Sequence, residues 1–517
     1  MKTTILLLIF CCLLSGQGMC QTKFIRTYSG QLPDFSSIKK CSDKGYIMAG
    51  AAYHSSLNAA IYKTDSMGHM LWGRKLEHWS YERFQYAQET HNGGYIAVGS
   101  NQVTGPSIRN IMLTKFTSSG ILSWNKSIGM AGTSSGGLIV HEDEDHGYTI
   151  AGENSLTTPT ATLSRCYLVK TDSLGEVIWG RLFQLPFEIG FTGACRTTDG
   201  GHVFLGFKEV DTSGFNIILL KADEEGNFLW AKTIGGPDDE FAYGITATSH
   251  NGVMLAGGTD GYNCDSTDIL LISLDSAGSI VWAKTYGAPG HDDARSVMQT
   301  NDGGFILTGR IGFGAVDNNK GLGLKTNANG FVYWARTYIA GNRYPTFAIE
   351  QTDDGGYAIT GSVSDGAATA SLIKTDASGH SCDDAIINLW SQSISIPSAD
   401  IPITVDSGGT SVAVNLPVAS LSGEHLLCDP LDVTDVSVRT SEVQVYPNPS
   451  YDGRFTVAFP GREETGTIEV YNGPGQKVKS QPLSERIDLS DMPGGVYHYS
   501  IMTTKSQRRM GGTMVYR

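Results

Sequence analysis

Between residues 22 and 380 the apolar residues come in short runs, each closed by Gly, Asp or Asn. Ile306-Leu307-Thr308-Gly309 and Ala242-Tyr243-Gly244-Ile245-Thr246-Ala247-Thr248 are typical. Runs of this length bounded by turn-formers predict strands, not helices. Their spacing is regular. Trp72, Trp124, Trp179, Trp230, Trp282 and Trp334 recur at intervals of 51 to 55 residues. Four positions before each lies a glycine: Gly68, Gly120, Gly175, Gly226, Gly278 and Gly330. Three positions before each glycine lies Asp65, Thr117, Asp172, Asp223, Asp275 or Asn327. A short polar side chain can bond the backbone ahead of it, and glycine tolerates the positive φ that ends such a turn. Each copy therefore predicts strand, tight turn, strand.

A second turn precedes each hairpin. It reads Asp43-Lys44-Gly45-Tyr46, Asn92-Gly93-Gly94-Tyr95, Asp145-His146-Gly147-Tyr148 and Asp199-Gly200-Gly201-His202 in the first four copies. The last three are His250-Asn251-Gly252-Val253, Asp302-Gly303-Gly304-Phe305 and Asp354-Gly355-Gly356-Tyr357. One period thus holds four short antiparallel strands, and seven such units predict an all-β, seven-bladed β-propeller over residues 21–380. The seventh hairpin breaks off after Lys374-Thr375-Asp376-Ala377-Ser378-Gly379. Phe24-Ile25-Arg26-Thr27-Tyr28 matches Trp282-Ala283-Lys284-Thr285-Tyr286, with Phe24 in the tryptophan place. The N-terminal strand is therefore expected to complete the last blade and remove its open edges.

The ends of the chain differ. Residues 1–20, with Lys2, the apolar stretch Ile5 to Leu14 and Gly18-Met19-Cys20, read as a secretory signal too short to span a bilayer. Residues 381–440 carry Pro397, Pro402 and Pro417 among Ile394, Ile396, Ile401, Ile403 and Val405, and predict an extended β segment or linker. Residues 441–517 predict a compact β-sandwich. Six cysteines remain after the signal: Cys41, Cys166, Cys195, Cys264, Cys382 and Cys428. Cys382 and Cys428 bracket one segment and are expected to pair; buried free thiols are the expectation for the others. A net charge of −14 without a basic stripe excludes nucleic acid as a partner. No stretch of the mature chain predicts a transmembrane segment.

The tail carries a resemblance. Val445-Tyr446-Pro447-Asn448-Pro449, Gly453-Arg454-Phe455, Ile468-Glu469-Val470-Tyr471-Asn472 and Gly475-Gln476-Lys477-Val478 follow one another. Leu489-Ser490-Asp491-Met492-Pro493-Gly494-Gly495-Val496-Tyr497 comes next, with Lys505, Arg508, Arg509 and Arg517 near the end. This resembles the type A C-terminal sorting domain of the type IX secretion system of Bacteroidetes. The resemblance implies the type IX machinery as a partner. It also implies passage through the periplasm across the outer membrane, removal of the tail, and release or attachment at the cell surface. The ending Met514-Val515-Tyr516 is more apolar than is usual in that family.

Chemistry is harder to find. The repeated tryptophans, and the basic series Arg26, Arg74, Lys126, Arg181, Lys232, Lys284 and Arg336 two places after the aromatic, occur in every unit and read as blade-to-blade framework. The hairpin resembles the sialidase-type Asp box and the tryptophan-docking motif of quinoprotein dehydrogenases; both are structural in their families, so neither implies an activity. His141-Glu142-Asp143-Glu144-Asp145-His146 lacks the His-Glu-x-x-His spacing of zinc hydrolases and reads as a solvated acidic turn. No catalytic set, metal or cofactor is expected.

The two repeated turns share one face of the disc. The connections of variable length share the other, and loops on a rigid scaffold carry specificity. On that second face the candidate binding residues are Trp79, Tyr81, Asp238, Asp239, Tyr262, His291, Asp292, Phe313, Arg343 and Tyr344, with Glu82 beside them. Aromatics among acids suit a glycan, a peptide or a cation. The expected function is a secreted or cell-surface binding and adhesion module for a glycan or surface protein. The alternatives are an exported glycan-active hydrolase or lyase using Asp238, Asp239 or Asp292, and a structural surface-layer component.

Overall fold

The computed structural model describes residues 23–28, 33–53, 57–76, 81–104, 108–158, 161–210, 214–262, 264, 266–312, 320–338, 346–364, 368–407, 410–413, 418–421, 424–428, 444–446, 454–458, 466–472, 477–482, 486–503 and 509–516. The signal sequence lies outside them. All regular structure among the described residues is β, and no helix is long and apolar enough to cross a membrane. The chain forms two compact units, Met1–Pro430 and Leu431–Arg517.

The first unit is a seven-bladed β-propeller. Its innermost strands, numbered here as blades 1 to 7, are Pro33–Lys40, Glu82–Glu89, Ser134–Glu142, Gly190–Arg196, Glu240–Ala247, Asp292–Gln299 and Thr346–Gln351. In blades 1 to 6 three further strands follow in sequence, all antiparallel. In blade 7 the fourth place is taken by Phe24–Tyr28, paired with Ala368–Thr375 in the register Phe24 to Lys374 and Tyr28 to Ala370. The ring is closed by the N-terminal strand.

The sequence beat is the contact between blades. Each aromatic lies against the turn glycine of the next hairpin. A Cβ on Gly120, whose φ is +74°, would meet the Trp72 ring at 2.5 Å, and one on Gly68 would meet Phe24 at the same distance. The positive φ ends the turn, and the missing side chain admits the ring. Phe24 thus occupies the tryptophan place at the seam, fully buried. The hydroxyls of Tyr28, Tyr286 and Tyr338 donate across the same joints to Gly68, Gly330 and Gly379 carbonyls at 2.7, 2.6 and 2.8 Å. The basic residue two places on does likewise: Arg74 Nε donates to the Gly120 carbonyl at 2.8 Å. Inside six blades a lysine of the third strand braces the Asp-Gly-Gly turn; blade 5 has Ser273 in that place. Lys63 meets Asp43, Lys221 meets Asp199 and Lys374 meets Asp354 at 2.7 to 2.8 Å. The lysine side chains are only 2–3% exposed, but Asp43 and Asp199 are 50% and 36% exposed, so water screens those two pairs.

Residues 384–428 form a belt. Asp384–Ile386 pairs with the outer strand of blade 6, Trp390–Ile394 with blade 5 and Ser398–Asp400 with blade 4. Thr404–Ser407 pairs with blade 3, Thr410–Ala413 with blade 2 and Val418–Leu421 with blade 1. Glu424–Cys428 ends on the N-terminal strand of blade 7. Every blade therefore has five strands, and the segment that the sequence presents as extended β or linker circles the ring against chain order. Its isoleucines fill the outer grooves: Ile396 joins the apolar cluster of blades 4 and 5, and Ile401 that of blades 3 and 4. Arg336 and Lys232 reach belt carboxylates Asp384 and Asp400 at 2.7 and 2.6 Å.

The second unit holds a three-stranded and a four-stranded sheet. Phe455, Ile468, Val470, Ile487, Leu489, Tyr497 and Tyr499 form its core. Cys41, Cys166, Cys195 and Cys264 are free thiols, and burial pushes the Cys41 and Cys195 thiols up to about 12.

Candidate functional site

Antiparallel order puts the connections between blades, and those between second and third strands, on the face opposite the two repeated turns. The described candidates Tyr81, Asp238, Asp239, Tyr262, His291 and Asp292 lie there; Trp79, Phe313, Arg343 and Tyr344 fall outside the described residues. They distribute over three joints. Between blades 1 and 2, the Arg109 guanidinium lies 4.3 Å over the Tyr81 ring. Between blades 4 and 5, Asp238 is exposed beside Gly261, and Tyr262 packs on the core with φ +61°. Burial, then Glu240 and Asp238, push the Tyr262 hydroxyl up to about 12. Asp239 Oδ1 accepts the Phe215 N–H at 2.8 Å. Between blades 5 and 6, exposed His291 meets the Ser266 hydroxyl at 2.7 Å.

The acids that open the inner strands are part of the frame. Asp292 is fully buried and accepts the Ala288 and Gly312 N–H groups at 2.6 and 3.0 Å. Glu240 Oε2 accepts the Gly236 N–H at 2.8 Å. Burial is the main cause that raises Glu82 to about 8, and Glu240 and Asp292 to about 7. The folded ring therefore holds protons that the unfolded chain releases near pH 4. Stability from these three groups is fully present below that value and is lost as pH rises toward 8. The turn acids Asp199, Asp302 and Asp354 are shifted the other way by their lysines and hydroxyls, although burial opposes this. Their contribution is present at higher pH and is lost as pH falls below about 4. The ring is expected to melt several degrees higher at pH 5 than at pH 8, and Glu240→Gln, which keeps an acceptor for Gly236, should shrink that gap. Thermal scans at both pH values check this.

The feature the sequence did not disclose is axial. Every innermost strand shifts register at the equivalent place, between Phe35 and Ser37, Phe84 and Tyr86, Gly137 and Ile139, and Phe191 and Gly193. The same shift lies between Ala242 and Gly244, Ala294 and Ser296, and Thr346 and Ala348. The residues skipped are Ser36, Gln85, Leu138, Thr192, Tyr243, Arg295 and Phe347, a varied set on an invariant frame. A bulge frees a side chain from the ladder and re-aims it. Four of these make contact with the adjoining blade. Arg83 Nη2 donates to Ser36 Oγ at 2.8 Å, Thr192 Oγ1 donates to the Ala242 carbonyl at 2.8 Å, and Arg295 lies 4.1 Å over the Tyr243 ring. Asp293, wholly buried, holds Arg295 at 3.0 and 3.1 Å and Arg310 at 2.8 Å. Toward the repeated-turn face, a cavity of about 300 Å³ is lined by all seven inner strands, with Lys39, His141, Arg196 and Met298 among them. Burial first, then Arg196 and Lys39, lowers the His141 imidazole to about 4. The bulges leave one faint trace in the sequence: the apolar alternation of each first strand slips by one residue after its aromatic or small residue.

Residues 444–510 match the secretion system C-terminal sorting domain family. No curated protein sequence matches the chain. Among solved structures it is similar to PorZ, an essential bacterial surface component of the type IX secretion system of Porphyromonas gingivalis. The identity is 10% over 94% of this chain and 70% of that one, with a TM-score of 0.29. It is also similar to MPT-4, a mannose phosphorylase from Leishmania mexicana, at 11% identity over 50% of this chain and 89% of that one, with a TM-score of 0.27. At these scores neither likeness bears on what the ring does.

Proposed function

We propose that this type IX-exported β-propeller protein is a binding module at the cell surface, and that its ligand, a glycan or surface protein, meets the variable face at the axial bulges. The observation that carries the reading is the bulge in every blade: one residue skipped in each of seven inner strands around one axis, free to differ while the frame repeats. Tyr243 with Arg295 offers an aromatic face and a guanidinium, which suits sugar rings and carboxylates. Two of the three acids on which a hydrolase or lyase would depend are engaged by the backbone. Both oxygens of Asp292 accept backbone N–H groups, and Asp239 caps Phe215. Binding to a glycan array and to whole cells by the isolated mature protein is expected. Tyr243→Ala with Arg295→Ala should weaken it at least about tenfold, as loss of a stacking anchor does. Equal binding by that double variant would move the site elsewhere, and turnover of a glycan would favour the enzyme.

A Cys382–Cys428 bridge is proposed as the clasp of the belt. Cys382 lies just ahead of the belt's first strand, and Cys428 ends its last strand, beside Ile25. The side chain of Cys428 is outside the described residues.

A further inference from the structure

On the repeated-turn face, side chains of neighbouring blades cap the turns. The Ser42 N–H donates to Glu89 Oε2 at 2.6 Å, and the His91 N–H to Glu142 Oε2 at 2.7 Å. The Ser249 N–H donates to Gln299 Oε1 at 2.7 Å, and the Asn301 N–H to Gln351 Oε1 at 2.9 Å. A neutral glutamine performs this duty in two joints, so the frame needs one oxygen and no charge. At the joint of blades 2 and 3 a carboxylate does it, and two imidazoles stand around it. His91 Nδ1 lies 3.1 Å from Glu142 Oε2, and His146 Nδ1 lies 3.6 Å from Oε1. The two rings meet edge to face with centroids 5.6 Å apart. One donor atom from each of the three residues lies within 4.8 Å of the other two.

His146 has φ +60°, as do Lys44 and Asn251 within a few degrees at the same turn position of blades 1 and 5, where glycine stands in the other four blades; of the three non-glycine residues here, only His146 offers an imidazole beside Glu142. The Glu142 side chain is 5% exposed while both histidines are more than half exposed, so the carboxylate is fixed and the imidazoles can turn their nitrogens toward a shared ion. The adjacent surface hollow, lined by Lys39, Glu89, His91 and Glu142, leaves room for water.

We infer that His91, Glu142 and His146 bind a divalent first-row transition ion that ties blade 2 to blade 3. Two imidazoles and a carboxylate are the donor set for zinc and its neighbours; calcium and magnesium require more oxygens. The ion would keep its remaining positions for water. This site is on the face away from the axial bulges and stands independently of the ligand assigned to them.

Titration of the metal-stripped mature chain with ZnCl2 in a calorimeter tests it. One saturable site per chain is expected, with a rise in melting temperature on adding Zn²⁺. His91→Ala and His146→Ala should each weaken binding at least about tenfold, by analogy with the cost of lost supporting groups at metal sites. Glu142→Gln is the discriminating variant: glutamine keeps the cap on the His91 N–H, so the apo protein should melt as the parent does while Zn²⁺ affinity falls. Absence of a saturable site, or parental affinity in Glu142→Gln or His91→Ala, would overturn the assignment.

Discussion

A chain ending at Ser381 should not yield a stable monomeric ring. Without residues 384–428 every blade loses its fifth strand, and seven outer strands expose unpaired N–H and C=O groups. Such edges pair with other molecules unless they are covered. The outer grooves also lose their filling. Ile396 and Ile401 are 7% and 6% exposed, and each is worth about 2–5 kcal/mol against alanine. The truncated chain is expected to aggregate on size exclusion, or to melt at least about 10 °C below the parent. Ile396→Ala and Ile401→Ala in the whole chain give the graded version, and Cys382→Ser with Cys428→Ser asks what the proposed clasp adds. A soluble, monomeric, parent-like melt of the truncated ring would show that the belt is decoration.

Phe24→Ala should be among the most damaging single substitutions, with a loss of about 3–5 kcal/mol in urea unfolding. Phe24 is 0% exposed, joins the apolar cluster of blades 7 and 1, and sits where six other joints carry tryptophan. The two comparisons that interpret this loss are internal. Phe24→Trp restores the residue of the other joints and should come close to the parent. Tyr28→Phe removes only the hydrogen bond to the Gly68 carbonyl and should cost about 1 kcal/mol. Were Phe24→Ala to unfold like the parent, the seam would be held by the belt strand Glu424–Cys428 and not by the aromatic.

The blades were legible because their markers are mutual. Trp72 needs a glycine at 120, Arg74 needs the carbonyl there, and the same demands recur at each joint, so selection for packing writes a period into the chain. The belt repeats nothing. Its strands are three to five residues long and take their register from edges supplied elsewhere. Ile396 and Ile401 look like any extended apolar pair until the grooves they fill are known. Topology puts the described candidates Tyr81, Asp238, Asp239, Tyr262, His291 and Asp292 on one face, yet the loops alone gave no centre; the bulges, invisible as residue types, supply the one proposed above. His141 and Glu142 illustrate the limit of neighbouring letters. Adjacent residues on a strand point to opposite sides. His141 therefore lines the axial cavity, near His202 at 6.2 Å between rings, while Glu142 turns to His91 of the preceding blade.

The belt ends where the ring begins: Glu424–Cys428 lies beside Phe24–Tyr28. Synthesis of the first and last pieces of this sheet is separated by almost the entire polypeptide, so a nascent or prematurely terminated product has no means of sealing itself. Quality control is thereby built into connectivity, since only a molecule made to its final strand can mask its edges.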